Sequence, residues 1–413
     1  MIQSLAGLLG LIFIAWLFSE SRKDLSMKNI LSGLILQFGV AVLMLKVPFF
    51  SDLVMYLNHA VDALQQATQA GTSFVFGYLG GAPLPFTENS PGASWTLAFR
   101  ALPLILVVSA LSALLFYWRV IPVVVKFFSL ALQKTMDIGG ALGLGVASNI
   151  FVGMVEAPII IGPYVKSMSR SELMTLMISG MATISGTVLV LYASILNPVL
   201  PGAIGHILTA SIISAPAAIL ISRVMVPEHK NHQGEDGLNI KSNASSSMDA
   251  MVKGTSDGVT LLINVVAMLL VLVALVALIN QVLAFLPDIF GEQLTLQRIL
   301  GFIMWPVVWL MGIPASEAYT ASSLMGTKTI LNEFLAYLQM AGLPEGTLSP
   351  RSTIIMTYAM CGFANLGSLG ILIGGLITIA PSRKDEIVDL GSKSVIGGTL
   401  ATCMTGAIVG LLY

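Results

Sequence analysis

Apolar runs of about 20 residues recur along this chain, and they leave it few folds, because a helix of that length crosses the roughly 30 Å hydrocarbon core of a bilayer. The runs lie near 1–18, 28–46, 97–118, 172–197, 203–225, 259–286 and 391–412, which predicts seven or eight full spans. In lipid every backbone N–H and C=O needs a partner within the protein, so runs of this length are read as helices. Composition agrees: 56% of the 413 residues are hydrophobic and 10% are charged, whereas a soluble domain carries about a quarter charged residues. Lys and Arg number 20 against 21 Asp and Glu, so no charge excess points to nucleic acid or another polyanion. The first run lacks a basic leader and a small-residue cleavage pattern, and reads as a retained span rather than a signal peptide.

Between the runs lie 51–80, 119–135, 139–165, 299–315 and 317–380, which are too short, too glycine-rich or too polar for clean spans. Basic residues cluster at Arg22, Lys23 and Lys28 and again at Lys230, Lys241 and Lys253, while 81–96, with Pro83, Pro85, Glu88 and Pro91, has none. The positive-inside rule then puts 19–28 in the cytoplasm and the N-terminus outside. One polar linker, 226–247, divides the chain near its middle, as a protein built from two related halves would be divided. The expected organisation is an N-terminal transmembrane and scaffold region (1–98), a first half (99–225), a cytoplasmic linker (226–247) and a second half (248–413).

Two carboxylates stand inside segments otherwise suited to the membrane: Glu156 in NIFVGMVEAPIIIGPY and Glu333 in GTKTILNEFLAYL. An ionisable group at that depth is a functional-site hypothesis by default. Glu156 follows Gly153 and precedes Pro158, a helix-breaking context tolerated at mid-membrane only where the backbone lines an enclosed cavity. A second break is predicted at Cys361-Gly362-Phe363-Ala364-Asn365-Leu366-Gly367-Ser368. Interrupted segments at comparable places in two halves mark a transporter's binding site. Asn149 and Thr183 offer side-chain oxygens near the first break. They suit a hard monovalent cation, and ordinary interhelical hydrogen bonding explains them equally well on residues alone. The two cysteines, Cys361 and Cys403, and the four histidines, His59, His206, His229 and His232, show no metal-ligand spacing. An intramembrane enzyme would need a nucleophile and a base converging in one pocket, and a solute channel would ignore ion gradients.

Several motifs occur in a fixed order: ALPLILVVSAL from 101, LQKTM at 132–136, NIFVG and EAP around 149–158, and ATISGTV at 182–188. SDG at 256–258, GIPASEA at 312–318, LNEF at 331–334, CGFAN at 361–365 and IGG at 373–375 follow. Through them the chain from about Phe99 to Tyr413 resembles the concentrative nucleoside transporters. The resemblance implies an all-α polytopic membrane protein with about eight transmembrane helices, two opposed re-entrant helical hairpins and interfacial helices, assembled as a homotrimer. It implies a carrier rather than an enzyme, without a cofactor, set in the bacterial cytoplasmic (inner) membrane with its N-terminus periplasmic. Such a carrier is a secondary active symporter that imports nucleosides by an elevator-type movement, with sodium as the expected coupling ion and a proton as the alternative.

Carried over by position, the resemblance places substrate at Gly153, Met154, Val155 and Glu156 of the first hairpin, at Val188, and at Glu333, Phe363, Asn365 and Ser368. It places sodium at the Asn149 and Thr183 side chains and at main-chain oxygens near Val152 and Ile184. The chain also departs from the family pattern. The first hairpin tip usually reads Gly-Gln-Thr-Glu and here reads Gly153-Met154-Val155-Glu156, Leu366-Gly367 stands where Phe-Ser is usual, and Gly162 stands where Arg is common. Met and Val offer a nucleobase no counterpart to the glutamine amide. The sugar half of the site is therefore expected to be conventional. The base half is expected to be apolar, tolerating varied bases or favouring an aglycone less polar than uracil.

Overall fold

The computed structural model describes residues 2–88, 94–154, 156–228, 244–288, 291 and 293–413. The chain opens with α1 (Ile2–Leu17), α2 (Met27–Lys46) and α3 (Pro48–Phe76). Ser26 caps α2 by accepting the Asn29 N–H, and Pro48 starts α3, where its missing N–H is no loss. A π-helical turn at Leu97–Ala101 leads into α4 (Leu104–Tyr117). Then come α5 (Val120–Met136), α6 (Gly140–Phe151), α7 (Glu156–Ile160), α8 (Gly162–Val165), α9 (Arg170–Ala182), α10 (Gly186–Leu196) and α11 (Ala203–Met225). The remainder forms α12 (Ser247–Leu283), α13 (Leu296–Leu310), α14 (Ala315–Ile330), α15 (Glu333–Ala341), α16 (Pro350–Met360), α17 (Leu366–Ile379) and α18 (Lys384–Leu412).

The same order of elements occurs twice. A mostly apolar helix (α4, then α12) is followed by an amphipathic one (α5, then α13) and by a helix that breaks just before a glutamate (α6 to α8, then α14 to α15). A serine-capped helix broken midway comes next (α9 and α10, then α16 and α17), and a buried helix ends each series (α11, then α18). The caps match as well: Ser169 forms a reciprocal capping box with Glu172, and Ser349 accepts the Ser352 N–H. The first members of the two series, α4 and α12, pack on each other, and so do the last, α11 and α18.

The segments around α9, α11 and α18 form the centre, with 83–89% of each apolar stretch buried inside the chain, whereas only 6% of the α12 stretch is. The apolar face of α12, including Leu270, Leu278 and Val282, is therefore the kind of surface that lipid covers. Six helical stretches among the described residues are long and apolar enough to cross a membrane, and α1 is a shorter apolar helix.

Three expectations change. The run 172–197 is two helices: α9 stops at Ala182, Thr183 is extended (φ −123°, ψ 171°) and α10 begins at Gly186. Helix α12 begins at Ser247, ahead of the apolar run at 259, because Ser246 caps it by accepting the Asp249 N–H. Likewise α18 begins at Lys384 rather than 391. Most of the expected linker, with Lys230, Lys241, His229 and His232, lies outside the described residues, as does Pro91.

The loop after α1, the end of α11 and the starts of α9 and α18 meet at one face. There the Glu20 N–H donates to Met225 O at 2.8 Å. Arg170 donates to both Glu20 carboxylate oxygens at 2.7 and 2.9 Å and also pairs with Asp389, and Lys393 donates to Glu20 at 2.6 Å. These donors, Arg170 foremost, hold the Glu20 carboxyl down at about 2 against the opposing effect of burial. Arg22, Lys23 and the end of α11 thus share a side, as the charge pattern required.

Candidate substrate and ion site

Glu333 owes its position to a broken helix. Helix α14 ends at Leu331 with non-helical dihedrals (φ −91°, ψ −92°), and Asn332 restarts the chain as an N-cap, its Oδ1 accepting the Leu335 N–H at 2.9 Å. Glu333 is then the first residue of α15, where free N–H groups and the helix dipole favour a negative charge. It is 3% exposed, yet both carboxylate oxygens have donors. Oε1 accepts from the Tyr192 hydroxyl at 2.6 Å and Oε2 from Asn365 Nδ2 at 2.9 Å. Asn365 is itself an N-cap: its Oδ1 accepts the Ser368 N–H at 2.7 Å at the start of α17. That bond fixes the amide so that its NH2 faces Glu333. Glu333, Asn365 and Ser368 are thereby brought together, and all three are buried, as is Val188. Phe363 is half-buried, and its N–H donates to Thr183 O at 3.3 Å.

Asn149 and Thr183 also meet. The Thr183 hydroxyl lies 3.0 Å from Asn149 O and 2.8 Å from Ser179 O, with Asn149 wholly buried and Thr183 nearly so. One orientation of the Asn149 amide satisfies both of its ends: Nδ2 donates to Gly153 O at 3.1 Å, and Oδ1 accepts from Gly180 N–H at 3.2 Å and Ser179 Oγ at 2.7 Å. Val152 closes the end of α6, its N–H donating to Ser148 O at 2.8 Å, and Ile184 is buried just past the break in α9. The cluster is rich in neutral oxygens, from the Asn149 amide, the Thr183 and Ser179 hydroxyls and the main chain. That donor set fits a hard monovalent cation and would serve a thiophilic metal poorly.

At the first tip, Gly153 has φ +126°, and a Cβ there would stand 2.8 Å from Ser185 Cβ, so both backbone shape and space call for glycine. Met154 is 6% exposed. It packs on α9, where a Cβ added to Gly180 would come within 2.9 Å of Met154 Cβ. Glu156 begins α7 and is exposed. Val155 lies outside the described residues.

The two broken helices touch at their breaks. A Cβ on Gly362 would lie 2.8 Å from Met181 O and 3.0 Å from the Ala182 carbonyl carbon, and one on Gly398 would lie 2.5 Å from Met181 Cβ and 3.2 Å from Ala364 Cβ. Only glycine allows backbones this close. The oxygen cluster at Asn149 and Thr183 and the polar cluster at Asn365 and Glu333 therefore share one junction, the Thr183–Phe363 hydrogen bond.

Three residues near these clusters escaped the reading of the sequence. Tyr192 lies inside the apolar run VLVLYASIL, and Ser179 is one small polar residue among several on α9. Lys328 is wholly buried, its Nζ has no hydrogen-bond partner among the described residues, and it lies within electrostatic reach of Glu333, Cys361 and Cys403. A signal for Lys328 was present, since it is ionisable and stands five residues before Glu333 in a membrane segment.

Three family models match the chain. Residues 6–79 match the Na+ dependent nucleoside transporter N-terminus, 206–410 match the C-terminus of the same family, and 98–199 match a Gate model described as nucleoside recognition. The nucleoside permease NupC of Helicobacter pylori is 35% identical, the alignment covering 99% of this chain and 97% of that one. An uncharacterized transporter of Haemophilus influenzae is 37% identical over 99% and 97% of the two chains. Among solved structures, CNTnw in an inward-facing substrate-bound state superposes with a TM-score of 0.89 at 34% identity, covering 99% of this chain and 98% of that one. A variant of CNTnw in an outward-facing state gives a TM-score of 0.90 at 34% identity, over 99% and 97%.

Proposed function

The chain belongs to the Na+ dependent nucleoside transporter family, an integral membrane family of carriers and not of enzymes, and from that membership we propose that it imports nucleosides by symport with sodium. Glu333, Asn365 and Ser368 take the sugar, with Phe363 and Val188 beside the base. Gly153, Met154, Val155 and Glu156 close the other side. Sodium is held by the Asn149 and Thr183 side chains with main-chain oxygens near Val152 and Ile184. The observation that carries this reading is the buried Glu333 carboxylate with a donor on each oxygen, next to a junction that joins it to the oxygen cluster. A carboxylate accepting from sugar hydroxyls makes charge-assisted hydrogen bonds, among the stronger polar contacts open to a neutral ligand.

Coupling follows from the junction. An ion that draws Thr183 oxygens into its shell fixes the break in α9, and with it the acceptor of the Phe363 N–H, so the sugar half is ordered by the ion before substrate arrives. In this proposal the segments α6 to α8 and α14 to α15 are opposed re-entrant hairpins. With the broken helices they form the unit that moves, elevator-fashion, against a homotrimeric scaffold. The setting is the bacterial inner membrane with the N-terminus periplasmic, the side opposite Arg22, Lys23 and the Glu20 cluster. The domain division at 98, 225 and 247 belongs to the same reading.

Accumulation of a labelled nucleoside panel in proteoliposomes tests the proposal. Uptake against a gradient is expected with inward sodium and not with choline. Uptake driven by a proton gradient without sodium would transfer the coupling to protons, and uptake indifferent to either gradient would make the protein a channel. Met154 and Val155 in place of a polar pair favour a base half that tolerates varied bases or prefers a less polar aglycone, so competition by such analogues should match or exceed that by uridine.

A further inference from the structure

Resting on the nucleoside reading of this site, we propose that Tyr192 is a positioning residue for sugar recognition: it turns the Glu333 carboxylate so that its remaining lone pairs face a vicinal diol. An ionised carboxylate has about four lone-pair sites. Tyr192 occupies one on Oε1 and Asn365 one on Oε2, and the remaining sites, which the Glu333 backbone N–H also approaches, are the acceptor offered to two neighbouring hydroxyls. Asn365 cannot set this orientation alone. A single hydrogen bond leaves the carboxylate free to rotate about it, and two bonds to different oxygens do not.

Tyr192 is built for the task. It is 4% exposed and on α10, and its ring lies against two aromatic rings of α15, the helix that Glu333 begins. The ring centroids are 5.4 Å apart for Tyr337 and 6.1 Å for Phe334, within the range of tilted aromatic pairs. The Tyr337 hydroxyl is directed elsewhere, donating to Thr357 O at 2.8 Å. One tyrosine of the cluster therefore serves the carboxylate and the other serves packing, and the pair supplies its own control.

The test is the ratio of apparent affinities for a ribonucleoside and its 2′,3′-dideoxy analogue, with the 2′-deoxy and 3′-deoxy compounds between them. In Tyr192→Phe the ribonucleoside KM should rise about tenfold, on the scale of one hydrogen bond to a charged group, with little change in maximal rate. The dideoxy compound should be nearly unaffected, so the ratio collapses. Tyr337→Phe should keep the ratio whatever it does to protein yield. The ratio does not depend on how many molecules are active, so vesicles carrying little Tyr192→Phe protein read it as well as purified material does. A wild-type ratio in Tyr192→Phe, alongside a ratio lost in Glu333→Gln, would overturn the role of Tyr192 and leave the site reading standing. Absence of any ribose preference in the wild type would sink both.

Discussion

Glu156 and Glu333 begin corresponding helices in the two halves of the chain, and their settings are opposite. Glu333 is 3% exposed, with Tyr192 and Asn365 on its two oxygens. Glu156 is exposed, at a tip whose backbone is shaped by Gly153 at φ +126°. Sequence alone gave the two carboxylates equal standing, since each is ionisable and each follows a helix break. Their surroundings divide the work. A buried carboxylate with fixed donors is pre-organised, and it meets a ligand without reorienting. An exposed one is more accessible to water, and on the proposed reading its contribution waits on closure of the site.

The sharpest way to break this contrast is to neutralise each acid in turn. Glu333→Gln removes the charge and turns half of a two-point acceptor into a donor, so the loss of nucleoside transport efficiency should reach about 100-fold, the upper part of the range for hydrogen bonds to charged groups. Glu156→Gln keeps an acceptor at a site open to water, and the loss should be smaller by about tenfold. Measured kcat/KM for the two variants decides the matter, and equal losses would erase the distinction.

Lys328 sharpens the comparison, because it is wholly buried within electrostatic reach of Glu333. A buried polar group without a partner costs at least about 1–3 kcal/mol by mutational data, and a charged one more, and Lys328 Nζ has no hydrogen bond among the described residues. Lys328→Met should therefore raise the melting temperature of the ligand-free protein while slowing transport. Glu333 lies within electrostatic reach and offsets part of the lysine's burial penalty, so the stabilisation should be larger in a Glu333→Gln background. The double-mutant cycle should show coupling of about 0.5–3 kcal/mol. A cycle that closes at zero would mean that the two charges do not sense each other.

What the sequence disclosed follows from which forces are local. Hydropathy marks spans because transfer into lipid is decided residue by residue, and α1, α2 and α11 came out where the apolar runs predicted them. Glu333, Asn365 and Ser368 could be assembled because motif order placed them against a known family. Asn365 and Ser368 also carry an N-cap spacing that physical reasoning can recover unaided. The break at 183–185 was hidden inside an apolar run. Its cause is tertiary, the approach of Gly362 and Gly398 to Met181 and Ala182, residues more than 170 positions away. Tyr192 was hidden for the same reason, since a tyrosine in an apolar helix is indistinguishable from packing until its partner across the fold is known. The exposure of Glu156 likewise depends on what surrounds the tip and not on its own segment.

Met154 carries the smallest expected effect, and it bears on the Glu156 side of the comparison. The side chain is 6% exposed and packs on α9 at Gly180, so in this conformation it is part of the wall behind the tip. Met154→Leu conserves volume and should cost less than about 1.5 kcal/mol of stability, with uptake of any accepted nucleoside within about threefold of wild type, the small discrimination that one apolar change in a pocket supports. Met154→Gln places an amide where the family usually has one, facing Gly180 with little room. Uptake of polar-base nucleosides should improve relative to apolar-base ones only if the tip can turn that amide toward the ligand. A shifted base preference with Gln and an unshifted one with Leu would show that the tip reads the base, while a large loss with Leu would show that packing on Gly180, and not the exposed carboxylate, governs this half of the site.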